Sequence, residues 1–222
     1  HIIYGGVYVD GVGGGVCQAS TTLYNALLLA GIDIDKVNHH TLPASYVPLS
    51  FDAMVSGDYA DLVFTNNLDK PIYIKTTADD SNVKVEIYGQ ATDGVTIERR
   101  AELVKVLGHN GDKILPDTKG EYANKILYKG EFYRVKWPKQ GYESKGYLRY
   151  YKDGEFVEEK EIRHDFYMPQ DGIVMEGTEE LGVGMTLPAT DVTICSPQKV
   201  TKQTEENVRN KLLKENPSEY SL

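Results

Sequence analysis

The run Gly13-Gly14-Gly15-Val16-Cys17-Gln18-Ala19-Ser20-Thr21-Thr22 joins a glycine loop to the start of a helical pattern, with a cysteine at the junction. A thiol in that place sits in the partial positive field of a helix N-terminus, which favours thiolate. Glycines let backbone approach a substrate closely. The N–H groups of Cys17 and Gln18 fall in the first turn, where a helix supplies no acceptor, so they are placed to hold an oxyanion. This is the equipment of a cysteine nucleophile. Two plainer readings compete: a phosphate-binding turn, and a tight turn around a buried thiol. A phosphate loop wants a lysine soon after the glycines, and none follows here.

A nucleophile of this kind needs a base, and the chain has five histidines: His1, His39, His40, His109 and His164. His39 and His40 lie in an irregular stretch just past the helical pattern and could fold back over its start. Neighbours in an extended chain point opposite ways, so one of the two would face Cys17; the alternative is a pair of surface-loop histidines. His109, in Gly108-His109-Asn110-Gly111, reads as a hairpin tip, and His164 sits in a charged strand. The second cysteine, Cys195, has neither glycine nor histidine company and reads as structural. A Cys17–Cys195 disulfide would remove the nucleophile. Two cysteines match no zinc spacing, and no metal or organic cofactor is expected.

The elements that must position these groups follow from periodicity. From Gln18 to Ala30, Leu23, Ala26, Leu27 and Ala30 repeat at i, i+3, i+4, i+7, the apolar stripe of a helix, and Gly31 is a C-terminal stop. Residues 2–9 read as a strand. Further strands are expected at 62–65, 72–76 and 83–88, joined by turns at Leu68-Asp69-Lys70-Pro71 and Asp79-Asp80-Ser81-Asn82. The fold class is therefore α+β, one main helix packed on an antiparallel sheet. Residues 99–178 read as β throughout, an elongated β domain with strands at 122–128, 131–137, 146–151 and 156–164. Lys129-Gly130 and Lys152-Asp153-Gly154 are its turn signals. A polar helix, 205–214, capped by Thr204, closes the chain.

The 222 residues are enough to bury a core without staples. Charge is uneven. Residues 1–97 carry 4 Lys+Arg against 11 Asp+Glu, residues 98–163 carry 15 against 12, and the remainder 5 against 10. The shift places a domain boundary near 97, giving expected segments 1–97, 98–180 and 181–222. A net charge of −9 argues against a general nucleic-acid binder. No apolar run approaches the length of a membrane helix. The 16 Tyr against 5 Phe suggest many half-wet aromatic positions. A start at His1, directly in strand-like sequence, reads as a processed or truncated piece.

The glycine–cysteine run, extended through Leu23-Tyr24-Asn25-Ala26, resembles the signature of the VanW family of bacterial wall-associated proteins. The resemblance continues through His40-Thr41-Leu42-Pro43-Ala44-Ser45-Tyr46-Val47-Pro48, Asp52-Ala53 and Asp61-Leu62-Val63-Phe64-Thr65-Asn66-Asn67. It runs on through Pro71-Ile72-Tyr73-Ile74-Lys75 and ends near Val85-Glu86-Ile87-Tyr88-Gly89. Some clostridial VanW-domain proteins act as L,D-transpeptidases with the motif cysteine as nucleophile. By that resemblance Cys17 is the nucleophile and His40 the base. Gly15, Gln18, Ser20, Thr21 and Tyr46 would form the oxyanion and substrate-positioning set.

Residues 138–178, with Gly141-Tyr142, Tyr147, Tyr150-Tyr151 and Met168-Pro169, resemble a G5 module, a β domain for which binding of N-acetylglucosamine-type sugars is suggested. Trp137, Tyr142 and Tyr147 are its candidate glycan-stacking residues; the alternative is that they pair across a thin sheet. The resemblances imply an extracellular or cell-wall protein of a Gram-positive-type bacterium. Its partners would be peptidoglycan stem peptides and glycan strands. Three functions follow: a cysteine L,D-transpeptidase, a non-catalytic wall-binding protein of the vancomycin-resistance VanW type, and a cysteine peptidase of wall peptides.

Overall fold

The structure is a computed structural model. It describes residues 15–90, 92–188 and 191–220 in full and the backbone of 2–4 and 7–9. The expected glycine loop at 10–14, and His1, lie outside the described residues. In chain order the elements are β1 (Ile2–Tyr4), β2 (Val7–Val9), α1 (Val16–Leu29), β3 (Asp33–Lys36), β4 (Val63–Thr65), β5 (Tyr73–Ala78), β6 (Val83–Tyr88) and β7 (Val95–Leu107). They continue with β8 (Asp112–Pro116), β9 (Phe132–Lys136), β10 (Gly141–Lys152), β11 (Glu155–Tyr167), β12 (Gly172–Glu176) and α2 (Lys202–Glu215).

The fold is α+β, with α1 packed on β6 and β3. Antiparallel pairs β1–β2, β3–β4 and β5–β6 account for the first part of the chain. The strands at 63–65, 73–78 and 83–88 stand where expected, but they do not form one sheet: β4 pairs with β3, and β5 with β6. The β5–β6 turn is held by the Asp79 carboxylate, which accepts the N–H groups of Ser81 and Asn82 at 2.8 Å each.

Two compact units partition the chain. The first comprises His1–Lys105, Tyr142–Tyr167 and Gln203–Leu222; the second comprises Val106–Gly141 and Met168–Lys202. They are not consecutive blocks. The charge shift at 97 falls inside β7, and the β10–β11 hairpin returns to the first unit, where β7, β10 and β11 form one sheet in the order β11-β10-β7. The charge shift near 97 and this division by contacts do not coincide. The hairpin turns on Asp153 (φ 51°) and Gly154 (φ 84°), as its turn signal predicts.

The first unit's core is Tyr24, Leu27 and Leu28 of α1 with Ile32, Leu42, Leu49, Phe51, Ala53, Ala101, Leu148, Tyr167 and Tyr220. The stripe on α1 is not the expected one. Its buried residues are Thr21, Tyr24, Asn25, Leu27 and Leu28; Leu23 and Ala26 are half-buried. Thr21 and Asn25 look solvated by type but are buried because they hydrogen-bond a neighbouring backbone. In α2, Thr204 lies inside the helix rather than capping it. The chain end seals the first unit: Tyr220 is buried and its hydroxyl accepts the Leu49 N–H at 2.8 Å.

In the second unit β12 lies between β8 and β9, parallel to β8 and antiparallel to β9. The expected strand at 122–128 is a set of turns. The buried Asp117 carboxylate accepts the N–H groups of Glu121 and Tyr122 at 3.0 and 2.8 Å and winds the chain there. Among the described residues, no helix is long and apolar enough to cross a membrane.

Candidate active site

Cys17 is the second residue of α1, half-buried. The N-cap is Gly15, at φ 101°, a left-handed conformation that costs other residues about 1–2 kcal/mol. The first turn holds no acidic side chain, so nothing within the helix offsets the dipole at the sulfur. Both cysteines are free thiols; no Cys17–Cys195 disulfide forms.

The segment 50–55 organises everything around the thiol. Cys17 donates its S–H to the Val55 carbonyl (3.4 Å). Ser20 donates to the Ala53 carbonyl at 2.6 Å, and Thr21 Oγ1 both donates to that carbonyl (3.3 Å) and accepts the Ala53 N–H (2.9 Å). Asn25 donates to the Phe51 carbonyl at 2.8 Å. Backbone groups alternate sides in an extended chain, so residues 51, 53 and 55 address α1 while 52 and 54 address the other flank. There, Met54 N–H donates to the Asn38 carbonyl (2.8 Å). Asp52 Oδ2 accepts the His40 N–H (2.6 Å) and the His40 Nδ1–H (2.7 Å).

Asp52 is 1 % exposed and His40 7 %. Burial by itself would push the Asp52 carboxyl up. The hydrogen bonds from His40, the charge of Arg163 and the Tyr167 hydroxyl outweigh it and hold the group below its ordinary range. An ionised carboxylate only accepts, so Nδ1 of His40 carries a proton, and in the neutral ring the lone pair falls on Nε2. That is the tautomer of a general base. Cys17 and His40 are thus tethered three residues apart on one segment, about 10 Å along the chain. Among the described residues no hydrogen bond joins them. His39 turns the other way: its Nδ1 bonds the His40 carbonyl at 2.7 Å and its ring meets Tyr167 edge-on at 5.0 Å.

A cavity of about 390 Å³ begins at Gln18, the residue after Cys17 in α1, and follows the helix past Thr21, Thr22, Asn25 and Ala26 to Leu29; Cys17 and His40 do not line it. Its other walls are Tyr46 and Val47, the β5–β6 turn region at Ser81, Asn82, Val83 and Val85, and Arg99. Of the expected positioning set, Gln18, Thr21 and Tyr46 line this groove, and Gly15 caps the helix. Ser20 and Thr21 take another role, because their hydroxyls are committed to backbone carbonyls. Asn25 is spent as well: it donates to Thr21 and Phe51 and accepts from Arg99 at 2.5 Å.

The expected glycan residues do not share a face. Tyr142 lies on the side of β10 that carries the buried Ser144 and Leu148. Tyr147 lies on the opposite side, with the Arg100 guanidinium 3.9 Å from its ring centroid. Trp137 belongs to the second unit, 62 % exposed, with Arg134 stacked on it at 3.9 Å. Cys195 is used through its backbone, which exchanges hydrogen bonds with Asp112. Among the described residues there is no acid–histidine–cysteine cluster suited to a metal.

The sequence missed Asp52 as the partner of His40, and Tyr167 and Arg163 behind it. Asp52 carried a signal in the Asp52-Ala53 match; Tyr167 and Arg163 lie more than a hundred residues on and carried none.

A helix-terminal thiol and a carboxylate-oriented imidazole stand on one α+β unit. Residues 1–88 match the family described as VanW like protein. It is 39% identical over 87 residues to a Bacillus subtilis (strain 168) protein described as uncharacterized protein YoaR, a match covering 39% of this chain and 29% of that one. The chain therefore spans under a third of that relative's length. Two solved structures are also similar. One is described as IgA1 Protease G5 domain (14% identity, TM-score 0.24, 39% of this chain and 94% of that one). The other is described as HP0197-G5 (17% identity, TM-score 0.19, 37% and 97%).

Proposed function

We propose that the chain is a cell-envelope protein that acts on peptidoglycan stem peptides as a cysteine L,D-transpeptidase, with Cys17 as nucleophile and His40 as base. The observation that carries this reading is the tethering of both groups to segment 50–55: a first-turn thiol on one flank, an Asp52-oriented imidazole on the other. His40 Nε2 takes the thiol proton as the sulfur leaves the Val55 carbonyl. The sulfur attacks the carbonyl between diaminopimelate and D-Ala, and the amides of Cys17 and Gln18 hold the oxyanion. The C–N bond breaks, D-Ala leaves with the proton from the imidazolium, and a thioester remains. The amine of a second stem then attacks, Nε2 takes its proton, the new amide forms and the sulfur departs. The groove starting at Gln18 gives the acyl-donor stem room along α1. The acidic first 97 residues suit an incoming amine. The exposed Trp137 supports a glycan contact in the second unit. The protein's place is outside the cell, at the wall of a Gram-positive-type bacterium.

One observation favours a second reading, a wall-binding protein without turnover: the Cys17 thiol rests on a carbonyl rather than on His40. Catalytic hydrogen bonds often tighten only with substrate. The deciding experiment compares crosslinking of a tetrapeptide stem by wild type, Cys17→Ala and Cys17→Ser, with melting temperature alongside. The expected result is crosslinked product from wild type and none from either variant at unchanged stability, because a hydroxyl near neutral pH is a far weaker nucleophile than a thiolate. Undiminished product from Cys17→Ala contradicts the proposal. Release of D-Ala without crosslinks would identify a peptidase instead.

A further inference from the structure

The buried polar groups that the reaction does not use converge on Asp52 from β11. Tyr167 donates its O–H to Asp52 Oδ1 at 2.6 Å. The direction of that bond is fixed, because the Tyr167 oxygen already accepts the Ser50 N–H at 3.0 Å. Arg163 donates to the Asp52 carbonyl at 2.5 Å, stands 3.7 Å from Oδ1, and is paired with Asp165 at 2.9 Å. Tyr24 of α1 lies under the Arg163 guanidinium at 5.8 Å, and His39 meets Tyr167 edge-on.

The same hairpin grips the residue that sets the segment's course. Ser50, at φ 66°, is a non-glycine residue in the left-handed region. It is held by the Tyr167 hydroxyl and by a 2.8 Å bond between Ser50 Oγ and Ser144 Oγ. Gly146 permits this approach: a Cβ there would stand 3.2 Å from Ser50 Cβ and the Ser50 carbonyl.

We infer that Tyr167 and Arg163 are positioning residues: they fix the Asp52 carboxylate from β11 and, through it, hold His40 in the tautomer that keeps Nε2 free. The VanW segment 1–88 thus completes its site with a hairpin from 142–167. Oδ2 faces two donors from His40, Oδ1 faces Tyr167 and Arg163, and the backbone carbonyl faces Arg163, so the carboxylate is held from both ends. Burial pushes the Tyr167 phenol well above the usual tyrosine range, so it stays a donor at every working pH. Without the Tyr167 donor the carboxylate can turn toward solvent or toward Arg163, and Nδ1 of His40 loses its fixed acceptor.

This inference rests on the proposed role of His40, but its test reads the imidazole directly, so a failure to crosslink peptide would count against the function without touching the geometry. Long-range ¹H–¹⁵N spectra of the full chain report the His40 tautomer. In the neutral ring, wild type is expected to show the Nδ1–H form alone. Tyr167→Phe keeps the ring against His39 and is expected to show a mixture of both tautomers. Ser144→Ala is the control for loss of structure, since it removes the Ser50 bond from the same hairpin and leaves Asp52 untouched; it is expected to melt earlier with the wild-type tautomer. Arg163→Lys, which cannot reach both Asp52 and Asp165, is expected to follow Tyr167→Phe and supplies the answer should that variant not fold. An unchanged tautomer in Tyr167→Phe, or the same mixture in Ser144→Ala, overturns the inference.

Discussion

Thr21 shows how a residue expected to position substrate takes a structural bond. Its hydroxyl closes a two-way bond with Ala53, accepting the N–H and donating to the carbonyl. Ala53 is fully buried. Thr21→Val keeps the shape but leaves that amide without an acceptor, and an orphaned buried donor costs about 1–3 kcal/mol. The variant is expected to lose stability in that range by chemical denaturation; a change near zero would mean the hydroxyl is replaceable. Cys17, Gly15 and His40 were legible in the sequence because a glycine run, a helix start and the family motif mark them. Thr21 and Asn25 stand outside the expected apolar stripe because hydropathy counts a hydroxyl or amide as polar wherever it points. Their burial follows from a partner segment about thirty residues away that no periodicity reveals.

At the scale of elements, 50–55 is the hub, although it is neither helix nor strand. α1 docks on one flank, residues 38–40 on the other, and β11 closes over Asp52. Short-range signals find helices and hairpins: α1, Gly31, the β5–β6 turn and the Asp153-Gly154 turn all stand where the sequence put them. They do not find a hub whose stability is side chain to backbone. This arrangement has an acid limb. The Asp52 carboxyl is held below its ordinary range in the folded chain, so its stabilisation is complete above the unfolded carboxylate range, about pH 4. It is lost as pH falls through the lower folded value. The melting temperature is expected to fall with acid below about pH 4, and less steeply in Asp52→Asn than in wild type. Superimposable acid limbs would show that Asp52 is not a determinant.

For the whole molecule, some of the half-wet aromatic positions are cation-backed sheet faces. Tyr147 lies against Arg100 and Tyr150 near Lys160, while Trp137 backs on Arg134 in the second unit. Hydrogen bonds from Arg100 outweigh burial, and with Arg149 they depress Glu159 to about 2, a paired ladder on the outer face of β7, β10 and β11. The central claim is that Cys17 is an acyl-accepting nucleophile. It is tested most directly by intact-mass analysis and peptide mapping after incubation with a carbapenem or a tetrapeptide stem. A single acyl adduct on Cys17, absent in Cys17→Ala and absent from Cys195, is the predicted result; an unmodified Cys17, or equal labelling of both thiols, would contradict it.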